Sequence, residues 1–296
     1  MNTAIQAPPE EGSRFEEMID AALPSRDHRR YERFREVALL GVESGQIVFD
    51  LISDYCAQHM RVLDMGCGNG GVAVAGALRG HRVTAVDIDV GSVARTLARA
   101  EAWGVHVDAL QGDASFLGLP DESFDLVVMN DIIEHVEDPD GAVDEARRVL
   151  RPGGLAYIHA PQRWSPVSIV RDPHYGLTGV SAMPRPIARW YVCKVRRVSQ
   201  TYDMTVLPST WGLRAMISRH GLIPVCRTDR YLARKAFAST YSGKRGARVL
   251  RVLAGHPVAL KLLCPLMPSV LFLAFKPAGD PRAGDVCRAS RAPTET

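Results

Sequence analysis

Two short stretches carry residues whose types and spacing suit chemistry. The first is Asp131-Ile132-Ile133-Glu134-His135. On a helical turn, positions three and four apart share a face. Asp131, Glu134 and His135 would then together form a base for an acceptor hydroxyl or a set of donors for a divalent cation. The second is Asp64-Met65-Gly66-Cys67-Gly68-Asn69-Gly70. Glycine lacks a Cβ and lets the backbone turn tightly against a ligand. A helix starting after such a turn offers unpaired N–H groups. Gly66, Gly68 and Gly71 match the GxGxxG pattern that dinucleotide-binding proteins share. Asp64 narrows the choice. A carboxylate ending the first strand sits poorly beside a pyrophosphate and suits a ligand with an ammonium group and a sulfonium.

Alternating elements must hold these residues in place. From Arg61 the pattern reads strand (RVLDM), glycine turn, helix to Leu78, strand (RVTAVDID), then helix from Ser92 to Trp103. VHVDAL and FDLVVMND are further strands, a helix runs to Leu150, and LAYIHA is a fifth strand. Strands alternating with helices predict a doubly wound, mostly parallel sheet with ligands beyond the carboxyl ends of its strands. Ile223–Asp229 and Ser269–Lys276 complete seven strands, with a helix over Ser209–His220 and a helical, apolar insertion between the last two strands. The expected division is a disordered start (1–13), a helical cap (14–60), the ligand-binding α/β core (61–160), an acceptor-binding region with the last strands (161–276) and a disordered tail (277–296).

The glycine segment resembles motif I of class I S-adenosylmethionine (SAM)-dependent methyltransferases, and the resemblance continues in order over about residues 61–160. Asp87-Ile88 ends the second strand, Gln111-Gly112-Asp113-Ala114 follows the third, Asn130-Asp131 tips the fourth, and Leu150-Arg151-Pro152-Gly153-Gly154 precedes the fifth. The resemblance implies a Rossmann-like fold with SAM held by Asp64, Gly66, Gly68, Gly70, Asp87, Ile88, Asp113, Ala114 and Asn130. Asp87 would face the ribose hydroxyls and Asp113 the adenine amine. Asp87 as a helix cap and Asp113 as an ordinary loop residue are the alternatives. The 131–135 stretch is similar to the Glu-x-x-Glu-His of ubiquinone-biosynthesis O-methyltransferases, which is implicated in metal binding. Asp131 is one methylene shorter than that first Glu, so a metal is not favoured. His135, Asp131 and Glu134 are the candidate catalytic residues. Against an NAD(P)-dependent oxidoreductase stand Asp64 and the expectation that no tyrosine–lysine pair occurs at Tyr-x-x-x-Lys spacing. A SAM-binding protein without catalysis is the other alternative.

Charge and composition bear on the acceptor. Arg61–Leu150 holds 16 acidic and 7 basic residues, whereas Arg163–Arg251 holds 17 basic residues against three Asp. Arg163, Trp164, Arg171, His174, Tyr175, Arg185, Arg189, Trp190 and Tyr191 lie where the family builds its acceptor pocket. Arginines among aromatics suit an anionic or sugar-like group on an apolar body, and a solvated basic face is the plain alternative. The expected reaction is methyl transfer to an oxygen of a small or lipid-linked acceptor, with carbon or nitrogen left open. Nucleic acid is not expected, since no Asn-Pro-Pro-Tyr-type motif follows the fourth strand. Six scattered cysteines without paired spacing suit a reducing cytoplasm. No run reaches the about 18 apolar residues of a membrane span. The apolar stretch 249–266, directly after Lys244, Arg245, Arg248 and Arg251, has the composition of an interfacial anchor. A subunit interface, such as that of a homodimer, would bury the same leucines.

Overall fold

The computed structural model describes residues 14–22, 35–36, 38–205, 207–237, 252, 255–256, 260 and 262–279. Helix α1 (Arg14–Ala22) and α2 (Gly41–Leu51) precede the sheet. Then follow β1 (Arg61–Met65), α3 (Gly71–Leu78), β2 (Arg82–Asp87), α4 (Val90–Ala102), β3 (Asp108–Gln111), β4 (Phe124–Asn130), α5 (Pro139–Val149) and β5 (Leu150–Pro161). Beyond β5 come α6 (Pro166–Val170), α7 (Arg185–Trp190), α8 (Thr210–Arg219), β6 (Ile223–Cys226), α9 (Thr228–Phe237) and β7 (Ser269–Phe275). The strands form one seven-stranded sheet in the order β3-β2-β1-β4-β5-β7-β6. Pairing is parallel from β3 to β5, and β7 runs antiparallel to both β5 and β6.

The expected doubly wound sheet is therefore present. Successive strand residues point to opposite faces. Val62, Val128, Tyr157 and Leu271 bury against α2, α3 and α9, whereas Leu63, Val127, Ala156 and Phe272 bury against α5 and α8. The strand order reverses between β1 and β4, so a crevice opens where Asp64 and Asn130 end their strands.

The C-terminal part differs from expectation. The strand expected over Ile223–Asp229 stops at Cys226, and α9 begins at Thr228. The Thr228 hydroxyl is buried and accepts the backbone N–H of Leu271 at 3.0 Å. It thus occupies the place of the next ladder acceptor, and the chain turns into a helix. Half of the apolar stretch 249–266 lies outside the described residues; in the other half Leu260 and Cys264 are buried, whereas Val252, Leu262 and Leu266 are exposed. Residues 1–13 and most of the 277–296 tail also lie outside them. No helix among the described residues is long and apolar enough to cross a membrane.

The N-terminal cap packs on the edge of the crevice. Phe15 and Ile19 of α1 bury against α4, where the guanidinium of Arg99 lies over the Phe15 ring at 4.0 Å. Helix α2 crosses α3 so closely that glycine is required. A Cβ at Gly45 would stand 2.4 Å from the carbonyl oxygen of Gly71. This contact fixes the start of α3, which follows the glycine loop. Gly45→Ala is expected to destabilise the protein by about 1–3 kcal/mol, the usual cost of overpacking. Urea unfolding followed by circular dichroism measures this, and an unchanged midpoint would show that the crossing relaxes freely.

Candidate active site

Strand β1 delivers Asp64 into the crevice. Its carboxylate is almost fully buried, and Oδ2 has no hydrogen-bond partner among the described residues. Burial pushes its pKa up to about 7, opposed by the N–H of Ala73 in the first turn of α3 and reinforced by the charge of Asp87. A buried carboxylate with one orphaned oxygen fits a ligand that brings an ammonium group. Gly66 follows at φ 80°, and a Cβ there would meet the Ile132 side chain at 2.3 Å. Glycine is therefore demanded twice, by conformation and by space. Asp87 ends β2, where its Oδ2 accepts the N–H of Gly68 at 2.9 Å and its Oδ1 that of Asp89 at 3.0 Å. The carboxylate ties the β2 tip to the glycine loop and keeps lone pairs for further donors. Asp89, not Asp87, caps α4. Beside them Ile88 is 67% exposed, an apolar surface at the cofactor end of the sheet. Asp113 is exposed and accepts the N–H of Ser115 at 2.8 Å, with Ala114 buried next to it.

A cavity of about 320 Å³ lies over the tips of β1 and β4. It brings together Asp64, Gly66, Asn130 and Asp131 with Tyr157, Tyr231 and Lys235, under the start of α2. Gly68, Gly70, Asp87, Ile88, Asp113 and Ala114 do not line it. Asp131 also lines the cavity, with its side chain 49% exposed. Its Oδ1 lies 2.8 Å from Nδ1 of the buried His159, and its N–H donates to the His159 carbonyl at 3.0 Å. Because His159 Nε2 is buried without a partner, the tautomer that fits carries its proton on Nδ1 and donates to Asp131. Burial raises the pKa of Asp131, but His159, Lys235 and His174 outweigh it and hold the carboxyl below its ordinary value.

The sequence alone did not yield His159, Tyr157, Tyr231 or Lys235. Tyr157 and His159 stand two apart in β5, a legible sign that they share a face. Tyr231 and Lys235 are one turn apart on α9, in a stretch read partly as a strand. Lys235 Nζ donates to the Tyr231 hydroxyl at 2.8 Å, and the Tyr231 ring lies 4.4 Å from that of His159. These two do stand at Tyr-x-x-x-Lys spacing, so the expectation that no such pair occurs is corrected here. What separates this sheet from the dinucleotide-binding order 3-2-1-4-5-6 is the antiparallel β7 between β5 and β6.

The expected common face of Asp131, Glu134 and His135 does not form. Asp131 adopts φ 57°, outside the helical region, and the chain continues as a tight turn closed by the N–H of His135 on the Ile132 carbonyl. Asp131 thus turns to His159, while Glu134 and His135 approach His174 instead. Glu134 Oε1 lies 3.9 Å from Nε2 of each histidine, and the two rings meet edge-on at 5.3 Å. Neither Glu134 oxygen has a hydrogen-bond partner among the described residues. Burial, and then the charge of Asp131, push its carboxyl well above the ordinary range. One donor atom from each of Glu134, His135 and His174 lies within 4.8 Å of the others, a grouping able to hold a metal ion. Glu134 and His135 do not line the cavity.

Residues 63–158 match the methyltransferase domain family Methyltransf_11. A protein of Mycolicibacterium smegmatis named "Probable S-adenosylmethionine-dependent methyltransferase" is 38% identical over 118 residues, 40% of this chain and 44% of the relative. A ubiquinone biosynthesis O-methyltransferase of Rhizobium leguminosarum is 34% identical over 101 residues, 34% of this chain and 40% of the relative. The chain thus spans less than half the length of these curated relatives. Among solved structures, geranyl diphosphate methyltransferase in complex with GPP and sinefungin aligns with TM-score 0.50 at 20% identity, over 84% of each chain. The [4+2]-cyclase SpnF aligns with TM-score 0.51 at 17% identity, over 93% of this chain and 88% of the other. These two likenesses show the fold.

Because the Asp64 carboxyl sits near pH 7 and a cationic ligand needs it ionised, SAM affinity is expected to fall as pH drops from 7 to 5. The limit is about tenfold per pH unit once the group is mostly protonated. Calorimetric titration across that window measures it. An affinity independent of pH would show that Asp64 does not meet the ligand's positive charge.

Proposed function

Since residues 63–158 form a class I, SAM-dependent methyltransferase domain, we propose that the whole chain transfers a methyl group to an oxygen of a small or lipid-linked acceptor. The observation that carries this reading is the sharing of one cavity by Asp64 and the His159-held Asp131. SAM, when bound, supplies an electrophilic methyl on a sulfonium centre. The chain's task is then alignment, exclusion of water and removal of the acceptor's proton. Asp64 and the glycine loop hold the amino-acid end of the cofactor, and Asp87 takes the ribose hydroxyls. Asp131 accepts the hydrogen of the acceptor hydroxyl. His159 is a positioning residue that aims the Asp131 carboxylate. Lys235 adds positive charge nearby, which keeps Asp131 ionised at neutral pH.

The reaction is tested with methyl-deuterated SAM and a metabolite extract from cells lacking the gene, with products read by mass spectrometry. The full chain should place the label on oxygen in one metabolite class. Asp131→Asn should form product roughly 100-fold more slowly, with SAM affinity unchanged. No labelled metabolite, or equal rates from the variant, would contradict the assignment.

A second reading is favoured by one observation, the buried Glu134 carboxylate that lies 3.9 Å from two imidazoles and has no hydrogen bond among the described residues. In it Glu134, His135 and His174 hold a divalent cation that fastens the 131–135 turn to the 172–177 segment. Zinc or manganese should then raise the melting temperature of the wild-type chain and not of Glu134→Gln. Equal melting temperatures with and without metal would leave the three residues as packing.

A further inference from the structure

A second cavity of about 260 Å³ is lined by Arg163, Ser181, Arg185, Tyr202 and Thr205, with methionine, leucine and proline side chains completing its walls. We propose that this cavity is an oxyanion-binding subsite that receives a phosphate, sulfate or carboxylate group carried by the methyl acceptor. The proposal rests on the methyltransferase reading of the first cavity and gives its substrate a chemical class.

Two polar groups of the cavity, on Ser181 and Arg163, are buried donors without an acceptor among the described residues. Ser181 is 2% exposed and its hydroxyl has no partner among the described residues. The Arg163 Nε is buried and equally unpartnered, and its Nη2 makes only a long contact of 3.4 Å to the Ala182 carbonyl. Buried donors left unpaired are costly, and a bound oxyanion would pair them. Among the described residues Arg185 pairs with Glu137, at 3.6 Å and on an exposed rim, where an ion pair contributes little. Both arginines act on the Tyr202 hydroxyl: burial is the largest influence and raises it, Asp172 raises it further, and Arg185 and Arg163 pull it back. Both arginines line the same cavity as Tyr202. Asp172 is the buried carboxylate that acts on Tyr202; it does not line the cavity, its Oδ1 accepts the N–H groups of His174 and Tyr175, and its Oδ2 has no hydrogen-bond partner among the described residues. The sequence agrees, since residues 173–202 hold five Lys and Arg and no Asp or Glu. Guanidinium forks match the planar and tetrahedral oxygens of carboxylate and phosphate.

Position connects this cavity to the reaction. Thr205 donates its N–H to the Glu134 carbonyl at 2.7 Å and its hydroxyl to the His135 carbonyl at 3.4 Å. Arg163 follows β5 directly, four residues after His159. The cavity wall is therefore hydrogen-bonded to the 131–135 turn that begins at Asp131. The volume is below the roughly 300–1,000 Å³ of complete small-molecule sites, which suits one group of a larger ligand.

The test is calorimetric titration of the full chain at low ionic strength with inorganic phosphate, phenyl phosphate and, separately, SAM. The wild type should bind both phosphates, phenyl phosphate at least as tightly as the free ion. Arg163→Gln and Arg185→Gln should each weaken both by tenfold or more while SAM affinity stays within twofold. Failure of phosphate to bind, or equal binding by the variants, overturns the subsite. Binding of inorganic phosphate with rejection of phenyl phosphate overturns its assignment to the acceptor and makes it a site for a free anion. Retained SAM binding in any of these outcomes leaves the methyltransferase reading standing.

Discussion

The site depends on a carboxylate that the fold has taken out of water. Asp64 lies near the end of the middle strand of the five parallel ones, between β2 and β4, and sits nearly closed off from solvent. A buried charge is costly unless paired. One hydrogen bond comes from the start of α3, and the remaining oxygen awaits a cation. Much of the surrounding architecture serves that arrangement. The glycine loop brings the α3 N-terminus under the carboxylate, the Gly45–Gly71 crossing sets α2 over it, and Asp87 anchors the loop from the neighbouring strand.

Two further carboxylates stand three residues apart at the end of β4, Asp131 in the same cavity and Glu134 outside it, and their environments push them in opposite directions. Asp131 is open to the cavity and held ionised by His159 and Lys235. Glu134 is enclosed and driven toward its neutral form by burial and by Asp131 itself. Such divergence assigns separate roles to neighbouring acids. Asp131 is fit to accept a hydrogen from an acceptor. Glu134 is fit to stay protonated or to take a metal. The left-handed backbone at Asp131 produces the split by sending the two side chains to different partners.

How much of this is visible in the sequence follows from how local each feature is. The strands and helices over 61–160 are written in short-range alternation, and Asp64, Gly66 and Asp131 fall at strand ends where a ligand must bind. The α9 face is not local. Whether residues 227–231 extend β6 or start a helix is decided by the Thr228 hydroxyl meeting Leu271, 43 residues away. Reading that stretch as strand hides the i, i+4 pair of Tyr231 and Lys235. The pairing of Asp131 with His159 depends on the β4–β5 register, which sets Asn130 against His159. The approach of His174 depends on Asp172 gathering two backbone N–H groups into a turn. None of these can be read from spacing within one segment.

The central claim is that Asp64 makes this crevice a site for a sulfonium cofactor and not for a dinucleotide, despite the Tyr231–Lys235 pair. Equilibrium titration of the purified chain with SAM and with NADH, in parallel, tests it most directly. The account predicts saturable SAM binding that is lost in Asp64→Leu, and no NADH binding in either protein. NADH binding to the wild type with no measurable affinity for SAM would contradict it.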